Sequence, residues 1–123
     1  MILKRPSGKR GWTRFDWLKS RHTFSYSGFY DANYTGFGPL HVLNEEWVQP
    51  GGGFNMHTHC NMEILCYVLN GALRYRDSIG NASILRPGEL RRMTAGTGIW
   101  HSEYNHSRVN VAHVLQIWIK PEN

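Results

Sequence analysis

Short apolar runs separated by turn chemistry organise this chain. Pro6-Ser7-Gly8, Gly36-Phe37-Gly38-Pro39, Pro50-Gly51-Gly52-Gly53, Asn70-Gly71, Gly80-Asn81, Pro87-Gly88 and Gly96-Thr97-Gly98 punctuate it at fairly even intervals. Between them lie runs rich in β-branched and aromatic residues, the pattern of an all-β sandwich or barrel. Asn70-Gly71 predicts a two-residue hairpin turn with φ > 0 at both positions, joining a strand over 63–69 to one over 72–77. The first of these is apolar on both faces, Ile64, Cys66 and Val68 against Leu65, Tyr67 and Leu69, so it is expected to be central. Val111, Leu115, Ile117 and Ile119 share one parity and predict a last buried strand on that face. No helical stripe, internal repeat, low-complexity segment or linker is evident.

Composition narrows the class. A length of 123 residues is that of one domain. An apolar fraction of 41% with 13% aromatics excludes a disordered chain. No stretch approaches the length of a membrane helix. The first 12 residues are basic with no apolar run behind them, so no secretory signal is expected. The net charge is +5, and seven basic residues before position 22 (Lys4, Arg5, Lys9, Arg10, Arg14, Lys19, Arg21) face only Asp16. No helix-turn-helix, zinc-finger or aromatic RNA-binding signature accompanies them, and they read as a solvated end. Cys60 and Cys66 would lie ~20 Å apart along one extended strand, far beyond disulfide reach. A reducing cytoplasm is the expected compartment, with Cys66 as a small core residue.

The candidate chemistry sits in two clusters. The first, Gly51 to Glu63, carries His57 and His59 two residues apart, hence on one side of a strand. Two imidazoles so placed can share a metal ion. Glu63 keeps their parity if no bulge intervenes, although Cys60-Asn61 looks like a turn. The second cluster, Gly98 to Asn105, carries His101 and Glu103, again two apart. Two such pairs, each behind a Gly-rich turn, point to one metal centre. His22 and His41 are expected to be satisfied core or rim residues, His106 exposed, and His113 either hydrogen-bonded or pocket-lining. Trp100 is expected on the face opposite His101, in packing. Gly51–Gly53 lacks the Lys-Ser/Thr and helix of a phosphate loop.

Gly51, His57, His59, Glu63 and Gly71 resemble the first cupin motif, with seven residues between its Glu and Gly where six are usual. Gly96, His101 and Asn105 resemble the second. The pirin family, and its N-terminal cupin domain in particular, is closer still. That resemblance runs through Arg21-His-Thr-Phe-Ser-Tyr, Gly36-Phe37-Gly38-Pro39-Leu40, Gly52-Gly53-Phe54-Asn55-Met56-His57-Thr58-His59, Met93-Thr94-Ala95-Gly96-Thr97-Gly98 and His101-Ser102-Glu103-Tyr104-Asn105.

The resemblance implies a single antiparallel cupin-type barrel of the jelly-roll kind, holding one metal through His57, His59, His101 and Glu103. It leaves Glu63 near the metal as support or base, and makes Glu63 and Glu103 the candidate proton acceptors. Iron(II) is the metal it favours, with manganese, nickel, copper and zinc as alternatives. Two functions follow: a quercetin 2,3-dioxygenase-like enzyme acting on a small enolic aromatic, or a non-catalytic regulatory protein that keeps the metal. Pirins carry two cupin domains in tandem, and the second is expected to be absent from this chain. Trp12, Phe15, Trp17, Leu18, Phe24, Phe29 and Tyr30 crowd the first thirty residues, and a homodimer is expected to cover part of that apolar surface.

Overall fold

The computed structural model describes residues 7–14, 16–26, 30–59, 61–95 and 99–121, with the backbone alone at 57–59, 95 and 99. Apart from a single 3-10 turn at Ser7–Lys9, its regular elements are strands: β1 (Gly11–Arg14), β2 (Leu18–His22), β3 (Leu40–Val48), β4 (Gly53–His59), β5 (Met62–Asn70), β6 (Leu73–Asp77), β7 (Ala82–Leu85), β8 (Leu90–Ala95), β9 (Ile99–Asn105) and β10 (Ala112–Ile119). Among the described residues no helix is long and apolar enough to cross a membrane. All pairings are antiparallel. A six-stranded sheet, β1-β2-β3-β10-β5-β8, faces a four-stranded one, β4-β9-β6-β7.

Register turns the alternation along each strand into rows across the large sheet. Leu18, Val48 and Ala112 form one row of the inner face, followed by Ser20, Glu46, Val114 and Val68. His22, Asn44, Gln116 and Cys66 come next, then Val42, Trp118, Ile64 and Met93. An apolar floor is built where the first rows meet Leu73 of the opposite sheet. Val68 and Val114 are wholly buried in it, each contributing about 1.5–3 kcal/mol. A second apolar cluster, Ile64, Tyr75 and Met93, closes the other end. Between the two lies a band of buried polar side chains.

The expected hairpin does not form. Asn70 is the last residue of β5 and pairs with His113, and its φ is not positive. Only Gly71 is, at φ 80. The chain passes there from one sheet to the other, so β5 pairs with β10 and β8 while β6 pairs with β7 and β9. Gly71 is needed for the crossing: a Cβ would stand 2.9 Å from Ala112 Cα and Val111 O. β5 does have neighbours on both sides, as expected. The last strand is present with the other face inward. Ala112, Val114 and Gln116 are buried, and Val111 is 39% exposed. Both faces of β10 are apolar, so its neighbours choose: Leu115 and Ile117 pair with Tyr67, Leu43 and Leu65 on the outer face, where they are half-buried. Of the N-terminal apolar residues, Leu18 and Phe24 are core, whereas Trp12 and Tyr30 are exposed. Phe15 and Phe29 lie outside the described residues.

Candidate metal centre

Strand β9 supplies the best-defined part of the site. Alternation turns His101, Glu103 and Asn105 inward, at 2%, 7% and 4% exposure. His101 Nδ1 lies 3.7 Å from Glu103 Oε1, a separation that two ligands of one ion adopt at bonds of ~2.0–2.2 Å. Gln116 donates to Glu103 Oε2 at 3.3 Å, and the ring of Tyr75 meets His101 edge-on at 5.7 Å. Asn105 anchors the strand. Its amide donates to Val48 O at 2.9 Å and to Asn110 O at 2.8 Å, and its oxygen accepts from the Ser107 N–H at 2.9 Å.

Strand β4 brings the other pair alongside. Phe54 is opposite Glu103 and His57 opposite His101, so three residue steps on β4 (54 to 57) match two on β9 (103 to 101). One extra residue is therefore bulged out across Asn55-Met56. A strict two-residue period would put positions 54 and 57 on opposite faces. The bulge returns both to the face of His101 and Glu103, a re-aiming that bulges beside functional sites commonly perform. His59 follows opposite Ile99. Register positions 57, 59, 101 and 103 thus share one face, while the side chains of His57 and His59 lie outside the described residues. Among the described residues no three His, Cys, Asp or Glu side chains cluster as a metal site.

Glu63 is placed elsewhere. The turn at Asn61, with φ 52, ends β4 and carries the chain into the other sheet, so parity does not run on from His59. Glu63 falls on the outer side of β5, where its Oε2 accepts from Arg92 Nε at 3.1 Å and Thr94 Oγ1 at 2.9 Å. Those bonds hold its carboxyl below the usual range.

The other sequence expectations divide. His22 is buried and bonded to Thr13 and Asn44, and Cys66 is a buried free thiol pushed well up by burial. Cys60 lies outside the described residues. His106 is exposed, and so is His41, which occupies the outer face of β3. His113 is hydrogen-bonded: its Nε2–H donates to Glu45 at 2.6 Å while its ring stacks on Trp47 at 4.7 Å. Trp100 does take the face opposite His101, but it is 51% exposed because that face of the smaller sheet looks outward.

A pocket of about 150 Å³ opens over His101 and Glu103, walled by Tyr26, Glu46, Phe54, Gln116 and Trp118 among others. Glu46 is a member that the motif spacing missed. Burial raises its carboxyl to about 8, with the charge of Glu103 adding to the shift. The cue was available in β3, where Asn44 and Glu46 sit on the parity of Val42 and Val48. Polar residues at core parity cost stability unless they are used or paired. Tyr26 lies between the rings of His22 and Trp118, its hydroxyl raised to about 12 by burial and by Glu46.

Two facing antiparallel sheets around a His- and Glu-bearing pocket define the cupin fold. A cupin of the RmlC-like class from Shewanella frigidimarina superposes with a TM-score of 0.69 at 13% identity, over 100% of this chain and 95% of that one. The particular family follows from the sequence: the pirin family model matches residues 5–119, and the chain belongs to that family. It is 48% identical over 122 residues to quercetin 2,3-dioxygenase of Escherichia coli K12, covering 99% of this chain and 53% of that protein. The crystal structure of the bacterial pirin YhhW from Escherichia coli in complex with nickel(II) matches with a TM-score of 0.93 at 47% identity, over 97% of this chain and 52% of that one. The chain spans about half the length of the curated relatives it matches.

Proposed function

We propose that this chain binds one divalent metal, iron(II) in its working state, and supports dioxygenation of a quercetin-like enolic aromatic. The observation that carries the reading is the inward pair His101–Glu103, 3.7 Å apart, with His57 in register directly across from His101. His57, His59, His101 and Glu103 are the residues that would hold the ion. Three imidazoles and a carboxylate suit an octahedral ion with open positions better than a closed structural zinc site. The bound ion would supply a Lewis-acid and redox centre linking a chelating enol to dioxygen. The nickel complex of YhhW and the dioxygenase name of the Escherichia coli relative support the reading.

The protein's own contribution is orientation. Gln116 hydrogen-bonds the carboxylate of Glu103, and Glu103 is the group to which the reading assigns acceptance of the proton of a substrate hydroxyl. Glu63 is occupied at the surface by Arg92 and Thr94 and is not assigned that role. The pocket is about the size of a cavity that takes one aromatic ring, and Trp118, Phe54 and Tyr26 give it apolar walls. The buried free thiol of Cys66 suits a reducing compartment such as the cytoplasm.

The test is oxygen uptake by the iron(II)-restored chain with quercetin, followed by loss of the flavonol absorbance. Uptake that His101→Ala abolishes supports the reading. A metal-loaded chain that takes up no oxygen with quercetin contradicts it, and metal-dependent partner binding would then favour a regulatory role.

A further inference from the structure

Behind the metal pocket lies a second chamber of about 110 Å³, lined by Thr13, Leu18, Ser20, His22, Tyr26, Glu46 and Phe54. Tyr26, Glu46 and Phe54 belong to both walls, so the two spaces adjoin. The polar groups of the chamber fall into two sets. His22 is engaged at both nitrogens. Its Nδ1–H donates to Asn44 Oδ1 at 2.8 Å, which leaves Nε2 to accept from the Thr13 hydroxyl at 2.7 Å. Ser20 Oγ and Glu46 Oε1, in contrast, have no hydrogen-bond partner. Ser20 is 1% exposed and Glu46 3%, and the two are directly opposite each other on β2 and β3. Buried side-chain polar atoms without a partner are uncommon in native proteins and call for an explanation. Here two stand side by side on one cavity.

We propose that Ser20 and Glu46 form a hydroxyl-recognition subsite, which takes a phenolic hydroxyl of an aromatic ligand whose other end reaches His101 and Glu103. The inference rests on the reading of the larger pocket as the ligand site. The chemistry selects the ligand group. Glu46 offers an acceptor and Ser20 a donor-acceptor, which a hydroxyl satisfies together. An anion would find no Lys or Arg among the described residues that line the chamber. An ammonium would lose its water inside aromatic and aliphatic walls, at far greater cost than a hydroxyl. The chamber is smaller than a cavity that encloses a whole benzene ring, so it suits the hydroxylated edge of a ring, with Tyr26 and Phe54 against the ring faces.

Quercetin and 3-hydroxyflavone distinguish the possibilities, because both keep the chelating enol and carbonyl but only quercetin has hydroxyls on its other rings. Affinities are read by tryptophan fluorescence quenching on the nickel(II)-loaded chain without oxygen. The wild type is expected to prefer quercetin by roughly tenfold. Ser20→Ala should cut quercetin affinity roughly 3- to 10-fold, leave 3-hydroxyflavone unchanged, and melt at the same temperature or higher, since it deletes an unpaired buried hydroxyl. Glu46→Met should lose the preference, and Glu46→Gln, which retains an acceptor, should keep it. Equal affinities in the wild type, or a preference that Ser20→Ala leaves undiminished, overturns the subsite; water filling the chamber would give that result. Preference without oxygen uptake upholds the subsite and overturns the dioxygenase reading. Failure of both flavonols to bind overturns both.

Discussion

Asn105→Ala should cost far more than its size suggests, because Asn105 ties β9, the strand of His101 and Glu103, to β3 of the larger sheet. Its side chain is 4% exposed and makes three hydrogen bonds to backbone. Removing it leaves Val48 O, in the buried core, without that donor. A buried group so orphaned costs about 1–3 kcal/mol. The Asn110 carbonyl and the Ser107 N–H are part-buried and can recover water, so each adds roughly 0.5–1 kcal/mol. The expected loss is about 3 kcal/mol, or roughly 10 °C in melting temperature for a domain of this size. Urea unfolding followed by tryptophan fluorescence measures it, with Asn105→Asp as a comparison that keeps the acceptor for Ser107 and loses the amide donors. The two variants should both be destabilised, alanine the more. A loss below about 1 kcal/mol for alanine would mean that Val48 O finds another donor and that the strand is anchored elsewhere.

Other consequences can be checked separately. Gly53→Ala puts a Cβ 2.4 Å from Glu103 O and 2.5 Å from Tyr104 Cα, so β4 must move off β9; a loss of about 1–3 kcal/mol is expected, with weaker metal retention, and an unaltered melting curve would refute it. Burial holds His22 below its ordinary pKa of 6.5. As pH falls through 6.5 the unfolded chain takes up a proton that folded His22 refuses, so stability is lost on acidification, at a limit of about 1.4 kcal/mol per pH unit. Denaturant midpoints at pH 7.5 and 5.5 should therefore differ less in His22→Gln than in the wild type, and equal differences would contradict the assignment. Sedimentation equilibrium at micromolar concentration tests the homodimer proposed from the N-terminal aromatics: twice the 14.2 kDa chain mass is expected, and a monomer across the range refutes it.

What was legible in the sequence is what alternation along one strand decides. His101 and Glu103 share a face because only Ser102 separates them, and no other part of the chain needs to be known for that. Position 57 reaches the same face through a bulge at Asn55-Met56 that the histidine spacing does not announce. Where the chain changes sheets, local reading failed. Asn70-Gly71 has the composition of a hairpin and Gly71 has the positive φ, but the strands it joins pair with others. Glu63 shares the parity of His59 only if the strand runs straight through Cys60-Asn61, and the turn at Asn61 breaks that continuity. β10 is apolar on both faces, and its inward face was settled by the register of β3 and β5. Glu46 was overlooked because a carboxylate inside a core announces itself only once the neighbouring parity is recognised as buried.

The central claim is that a single ion sits on residues 57, 59, 101 and 103, and metal content tests it most directly. The wild-type chain, loaded with nickel(II) and desalted, should retain about one ion per chain by elemental analysis, as four ligands on one site require. His101→Ala, shown to be folded by its far-ultraviolet circular dichroism, should retain almost none. A folded His101→Ala chain that still holds one equivalent would place the metal elsewhere and contradict the account.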